Sequence, residues 1–205
     1  MKSIYRNQWD LFKESYLKIF IWLFILFIAS SFAVYAIMVK NPDLATTLMN
    51  QVSKMFEEKD LMGPDTTSFE LALGLFKNNT LACITLLVTG FLPIFLPAIA
   101  ILIMNGAIIG VMFAFMNLNG QAIMPMFFAG IVPHGIFEIP AIILSGALAF
   151  YVSLGVYRKI NNGNYSFRAC TVNVFKTFIF ICIPLLVFAA IIEAFITPHI
   201  LGSFI

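Results

Sequence analysis

His134 and Glu138 are two ionisable side chains inside an apolar stretch of the chain, in the segment PHGIFE at 133–138. Residues four apart share one face of a helix, so the imidazole and the carboxyl group can touch each other. Moving a charge into hydrocarbon costs at least about 2.5 kcal/mol on insertion scales, and intramembrane ionisable groups therefore predict a functional site. A pair of this type can relay a proton, begin a metal site or anchor a polar partner.

The pair by itself supplies two metal ligands, whereas a zinc site normally takes three or four. The sequence contains no HExxH motif, and Glu193 and His199 are predicted to lie too near a membrane surface to act as further ligands. We therefore expect no metal and no other cofactor. Zinc or another divalent ion held by His134 and Glu138 is the alternative.

A structural role is the favoured interpretation of the pair. His134 would hydrogen-bond to Glu138 and to Asn105, and would satisfy backbone groups that the nearby prolines free from the helix. An intramembrane Asn such as Asn105 is most simply a bond between helices, worth about 1 kcal/mol. Gly106 and Gly110 form a small-residue surface that is expected to bring the third and fourth spans together. Partner or ligand binding and catalysis or proton transfer stay open as further interpretations.

Composition identifies the solvent of this chain as a lipid bilayer. Of its 205 residues, 61% are hydrophobic and 11% are charged, and the mean hydropathy is +0.97. In a typical soluble domain, roughly a quarter of all residues are charged. The length suits a single membrane domain over 1–205. A net charge of +2, with no basic cluster among aromatics, argues against a nucleic-acid partner.

The apolar runs predict an all-α integral membrane protein with five transmembrane helices, because about 20 apolar residues are needed to span. Two prolines in the segment 90–97 mark a tight reversal between the second and third spans. The predicted spans are 19–39, a short helix from 80 to this reversal, 97–117, a helix from 133, and 174–196.

The stretch before His134 is expected to be irregular. Residues 122–156 are too long for one simple span, and prolines and glycines interrupt them. We predict a broken or re-entrant half-helix up to Ile131, followed by a full helix from about Pro133.

Two segments are predicted to lie outside the hydrocarbon. The lead at 1–18 is basic and amphipathic, which is typical of an interfacial helix. In the segment 40–77, a helix capped by Asn41 is predicted over 43–59. A second helix that begins at Ser68 is expected to lie flat on the membrane before the second span.

Charge placement predicts the orientation. The lead at 1–18 carries four Lys or Arg residues and the segment 157–176 carries another four. Because basic segments stay on the cytoplasmic side, both belong there. The expected protein is a multi-pass cell-membrane protein with its amino terminus in the cytoplasm. The segment 40–77 and the carboxyl terminus are then extracytoplasmic.

The order and spacing of four motifs over about residues 70–160 resemble the stage II sporulation protein M family of multi-pass membrane proteins. These motifs are KNN at 77–79, the proline turn GFLPIFLP at 90–97, NG at 105–106 with Gly110, and PHGxxExP at 133–140, which contains HGxxE at 134–138.

The resemblance implies a function that the residues alone do not indicate. The family's namesake looks like a scaffold that recruits two secreted peptidoglycan-degrading partners to the septal membrane during sporulation. We therefore expect a scaffold that organises cell-envelope or peptidoglycan-remodelling partners, either membrane-bound or secreted, with a homodimer left open. The family's motif residues fall on Asn79, Asn105, Gly106, His134, Gly135 and Glu138.

An enzyme is the less favoured class. The sequence contains no GxSxG elbow, P-loop, dinucleotide fingerprint or paired intramembrane aspartates. The alternative to a scaffold is a membrane-embedded metal-dependent hydrolase or a proton-coupled carrier that uses His134 and Glu138.

Overall fold

The computed structural model describes residues 2–58 and 66–202, and this part of the chain is helical without any strand. Six helical runs follow one another, three of which contain π-helical segments. They are α1 (Lys2–Leu11, π segment Phe12–Tyr16, Leu17–Met38), α2 (Pro42–Glu57), α3 (Ser68–Thr89), α4 (Leu96–Leu118), α5 (Ile123–Pro125, π segment Met126–Ile131, Val132–Asn161) and α6 (Phe167–Thr177, π segment Phe178–Cys182, Ile183–Ile191, π segment Ile192–Ile196, Thr197–Gly202).

Five of these runs are long and apolar enough to cross a membrane, which confirms the predicted all-α fold with five spans. The sixth run, α2, is the short polar helix that the sequence predicted outside the bilayer. The five candidate spans cover Tyr5–Met38, Ser68–Thr89, Leu96–Leu118, Ile123–Asn161 and Phe167–Gly202.

Helix α5 occupies the centre of the bundle. Every residue from 141 to 149 is buried, so this stretch of the helix is covered on all sides. Its neighbours are α3 and α6, with α1 and α4 on the remaining side. The core therefore forms around α5 rather than between two equal layers.

The predicted break before His134 takes the form of a π-helical segment, and the chain does not reverse there. Residues Ile123–Asn161 form one helical run that contains the π segment Met126–Ile131. Pro133 falls in the first turn after that segment. A proline at this position lacks an N–H and would clash with a carbonyl in a regular helix. A locally widened π turn accommodates it without ending the helix.

Helix α3 differs from the expected flat helix followed by a turn into the membrane. It is continuous from Ser68 to Thr89, and its N-cap is Thr67 rather than Ser68. Thr67 and Glu70 form a capping box, in which the Thr67 N–H donates to Glu70 Oε2 over 2.9 Å. No proline interrupts the following residues, so the helix that this cap starts runs on to Thr89.

Helix α2 begins at Pro42 and ends at Glu57, close to the prediction of 43–59. Residue 59 lies outside the described residues, as does the rest of 59–65. Asn41 occupies the N-cap position of α2, as predicted, but its side chain makes no capping bond and its Nδ2 donates to the Ile37 carbonyl over 2.8 Å.

Helix α2 lies across one end of the bundle. Near its start, Ala45 is buried together with Val111 and Ala114 of α4. Near its end, Phe56 packs against Leu75 of α3 and Ala190 of α6. The helix therefore bridges the ends of several spans on one side of the molecule.

The opposite end of the bundle gathers the lead, the α3–α4 turn and the α5–α6 connection. Thr177 hydrogen-bonds to Gln8 of the lead over 2.6 Å. Ser153 Oγ donates to the Leu92 carbonyl in the turn over 2.8 Å. These contacts place residues 5–18 of the lead and the α5–α6 connection at the end that lies away from α2.

The small-residue surface of α4 faces α1, not α5 as the sequence suggested. A Cβ added at Gly106 would lie 2.5 Å from the carbonyl oxygen of Phe27, and one added at Gly110 would meet the carbonyl oxygen of Ser31. Glycine permits this close approach of two backbones. The first and third spans are thus the pair that these glycines join.

We expect Gly106→Ala to destabilise the protein, because the new methyl group would press on the backbone of α1. Overpacking of this kind costs about 1–3 kcal/mol, so the thermal unfolding midpoint in detergent should fall. Gly202→Ala is the matched control, since it is also helical and nothing lies within 4 Å of its added Cβ. Equal midpoints for the two variants would contradict the α1–α4 packing.

Candidate functional site

Three ionisable side chains meet where α5 packs against α6. His134 and Glu138 belong to α5, and Glu193 belongs to α6. One nitrogen or oxygen atom of each residue lies within 4.8 Å of the others. His134 Nε2 is 3.9 Å from Glu193 Oε2. We call these three residues the His-Glu-Glu cluster.

Glu193 belongs to the cluster, whereas the sequence interpretation placed this residue too near a membrane surface to act as a ligand. That interpretation ended the fifth span at 196, whereas α6 begins at Phe167 and continues to Gly202. Glu193 therefore lies inside the helix and is directed at His134. His199 is exposed and does not belong to the cluster.

Asn79 of α3 holds the carboxyl group of Glu138. Its side chain is buried and hydrogen-bonds to Glu138. Its Oδ1 accepts a bond from Asn78 Nδ2 over 3.3 Å, which leaves its own amide N–H groups to donate to the carboxylate. Three helices, α3, α5 and α6, thus contribute to one polar site.

The remaining predicted site residues lie elsewhere or have a different role. Asn105 Nδ2 donates to the Ile101 carbonyl of its own helix over 2.8 Å, so the expected contact with His134 is not formed. Gly106 faces α1. Gly135 is buried beside His134, but an added Cβ would make ordinary contacts with side chains of its own helix, at 3.4 and 3.5 Å.

The cluster retains unused capacity for polar interactions. His134 Nδ1 is buried without a hydrogen-bond partner in the described part of the chain. The 3.9 Å separation between His134 Nε2 and Glu193 Oε2 is too long for a hydrogen bond. A buried polar atom without a partner points to strain, to ordered water or to an ion.

The charges of the cluster are not balanced by lysine or arginine. Across residues 2–58 and 66–202, the ion pair that involves these carboxylates is His134 with Glu193. Lys77 is exposed and, two positions from Asn79, lies on the opposite face of α3. Two ionised carboxylates at this distance repel each other, so the arrangement favours either a proton retained on one of them or a cation between them.

The two serines further along α5 do not serve the histidine as nucleophiles. Ser145 Oγ donates to the Ala141 carbonyl of its own helix over 2.8 Å. Ser153 Oγ donates to Leu92. The cysteines are free and buried. The site can therefore bind a cation or transfer a proton, but it does not have the geometry of a Ser–His hydrolase.

Both neighbouring π segments position residues of the cluster. Glu193 lies inside the π segment Ile192–Ile196, and His134 follows three residues after the π segment Met126–Ile131. Such segments rotate the following side chains relative to a regular α-helix and occur frequently at functional sites. The sequence analysis considered Glu193 and set it aside, although it is the sole Asp, Glu, Lys or Arg after Lys176, which is the signal that could have assigned it to the site.

The chain matches a known family over most of its length. The sequence profile described as stage II sporulation protein M matches residues 21–198. An uncharacterized protein of the archaeon Methanocaldococcus jannaschii is 33% identical over 125 residues, which cover 60% of this chain and 68% of that protein. No solved structure matches the chain significantly. The matched range contains Asn79 and all three residues of the cluster.

We expect Asn79→Leu to destabilise the protein, because it removes the bond to Glu138 and leaves a buried carboxyl group without its partner. A loss of this kind costs about 1–3 kcal/mol. In a Glu138→Leu background the same change should have little effect, since both polar partners are then replaced.

The measurement is a double-mutant cycle of thermal midpoints in detergent, using the wild type, both single variants and the double variant. Strictly additive effects would contradict an energetic coupling between Asn79 and Glu138.

Proposed function

Since the chain belongs to the stage II sporulation protein M family, we propose that it is a non-enzymatic membrane scaffold that organises partners in the cell envelope. The expected partners are membrane or secreted proteins that remodel the envelope, including peptidoglycan. The proposal assigns the protein a binding surface rather than a reaction.

The outer face of α2 is the observation that carries this proposal. One side of the helix is packed onto the bundle through Ala45 and Phe56, so the helix has a fixed position. The other side presents polar side chains and both acidic and basic groups that a partner could recognise. Leu44 is the one large apolar side chain exposed on the described residues of this helix. The exposed polar residues of α2 and its C-cap are Asp43, Thr46, Thr47, Asn50, Gln51, Lys54, Glu57 and Glu58.

Charge placement supports an extracytoplasmic position for this face. The basic lead and the basic segment 157–176 gather at the end of the bundle away from α2. Basic segments favour the cytoplasmic side. We therefore propose that α2 and the carboxyl-terminal end of α6 are extracytoplasmic and that the lead is cytoplasmic.

Cysteine labelling in intact cells tests this orientation. An impermeant thiol reagent should modify Gln51→Cys from outside and should not modify Asn162→Cys, although both positions are exposed. The background should lack Cys83, Cys170 and Cys182. Modification of Asn162→Cys in sealed cells, with protection of Gln51→Cys, would invert the proposed topology.

Site-specific photocrosslinking tests the scaffold itself. A benzoylphenylalanine at Gln51 should crosslink to an envelope protein with an extracytoplasmic domain, because this position lies on the exposed face of α2. The same residue at Phe32 is the matched control, since it is 69% exposed within an apolar span and should react with lipid. A product of twice the chain mass would identify a second copy as the partner.

The same experiment separates a scaffold from an enzyme or a carrier. If the protein is a scaffold, the folded double variant His134→Ala/Glu138→Leu should keep the Gln51 crosslink. It should also restore the wild-type phenotype when it replaces the deleted protein in cells. A variant that keeps the crosslink but fails to restore the wild-type phenotype would instead support chemistry at the cluster.

Chemistry at the cluster is the second candidate function, and the meeting of His134, Glu138 and Glu193 favours it. An imidazole between two carboxyl groups can pass a proton from one to the other. A proton-coupled carrier or a metal-dependent hydrolase would both use such an arrangement.

A further inference from the structure

We propose that His134, Glu138 and Glu193 form a binding site for a divalent first-row transition cation, for which zinc is the appropriate probe. The site would have three protein ligands and at least one position open to water or to an oxygen of a bound molecule. This inference goes beyond the scaffold proposal and does not depend on it.

The number and positions of the ligands fit such an ion. Three protein ligands with an open fourth position are the usual arrangement of a reactive zinc site. Two donors that are 2.0–2.2 Å from a tetrahedral zinc ion lie roughly 3.4 Å apart. His134 Nε2 and Glu193 Oε2 are 3.9 Å apart, and the three groups lie within 4.8 Å of one another. Small rotations of these side chains would complete the coordination.

The charges fit equally well. Two carboxylates and a neutral imidazole present two negative charges, which one divalent cation neutralises. Without a counter-charge, ionised Glu138 and Glu193 would repel each other and would be costly inside apolar helices. Lys77, the nearest lysine on α3, lies on the face of that helix opposite Asn79 and is exposed.

The surroundings supply the support that a metal ligand requires. Ligating carboxylates are usually hydrogen-bonded by an outer residue that fixes their orientation. Asn79 provides this bond to Glu138. His134 offers two ring nitrogens, of which Nδ1 is buried and has no hydrogen-bond partner among the described residues. The protein therefore leaves one ring nitrogen without a partner, and the imidazole can turn to present either nitrogen to an ion.

The ligand chemistry selects a transition metal over magnesium. Imidazole nitrogen suits zinc, copper, iron and nickel, whereas magnesium prefers oxygen ligands and retains several waters. The side chains of His134 and Glu193 are 15% and 29% exposed at the surface of the helix bundle, so the cluster is not sealed inside the protein. The expectation of no metal came from counting two donors, and Glu193 is the third donor.

Metal analysis of the purified full chain tests the proposal directly. The protein should be purified without a histidine tag, stripped with a chelator, incubated with zinc and washed. We expect close to one zinc per chain and a thermal midpoint raised above that of the stripped protein. Magnesium at the same concentration should raise it much less. Absence of bound zinc in the folded wild type would overturn the proposal.

Matched variants identify the ligands. Glu193→Gln keeps the shape of the side chain, and we expect it to lose most of the bound zinc and the zinc-dependent rise in midpoint, as should His134→Ala. His199→Ala and Glu58→Gln are controls, because both residues are exposed and outside the cluster. They should bind zinc like the wild type. Wild-type zinc content in Glu193→Gln would overturn the assignment.

Cobalt substitution provides a measurement that does not depend on any variant. Cobalt in the wild-type site should show the intense visible absorption of a four- or five-coordinate centre, and added zinc should abolish it. Weak absorption typical of six-coordinate cobalt in water would contradict the proposed site. Failure of these metal experiments would leave the Gln51 crosslink unaffected, so the two proposals can be judged separately.

Discussion

Polar groups inside a bilayer must find their partners within the protein, and this constraint organises the whole structure. It restricts the spanning segments to helices, in which the backbone satisfies itself. It also directs the few ionisable side chains of the spans toward one another. His134, Glu138 and Glu193 come from two helices, and Asn79 adds a third. Helix α5 carries two of these residues, and its following stretch 141–149 is covered by the neighbouring helices.

Prolines adapt the helices to this arrangement through π turns. Pro133, Pro184 and Pro198 are each the second residue after a π-helical segment. A proline cannot donate the usual backbone bond and crowds the preceding turn, and a π turn makes room for it at the cost of regular geometry. The extra residue in each π turn also rotates the helix that follows. One of these π turns, Met126–Ile131, precedes His134, and another, Ile192–Ile196, contains Glu193. The helix irregularities and the polar site therefore lie at the same places in the chain.

Hydropathy alone was sufficient to predict five spans, because the length of an apolar helix is a local property of the chain. The partners of each helix were not predictable in the same way. Gly106 marks a surface for close packing but does not specify whether α1 or α5 occupies it. Asn105 was assigned to the cluster because it is polar and intramembrane, yet it bonds to its own helix. Glu193 was set aside as a ligand because its span was predicted to end at 196, whereas the helix that contains it extends to Gly202.

The outer helix α2 and the polar cluster share helix α6, and α3 contributes both a support for α2 and Asn79 beside the cluster. Phe56 of α2 rests on Leu75 of α3 and Ala190 of α6. Leu75 is one turn from Asn79, and Ala190 is one turn from Glu193. A ligand that drew α5 and α6 together at the cluster would therefore act on the surface that supports the end of α2. Packed interiors transmit small displacements rather than absorb them, so such a ligand would be expected to shift the end of α2.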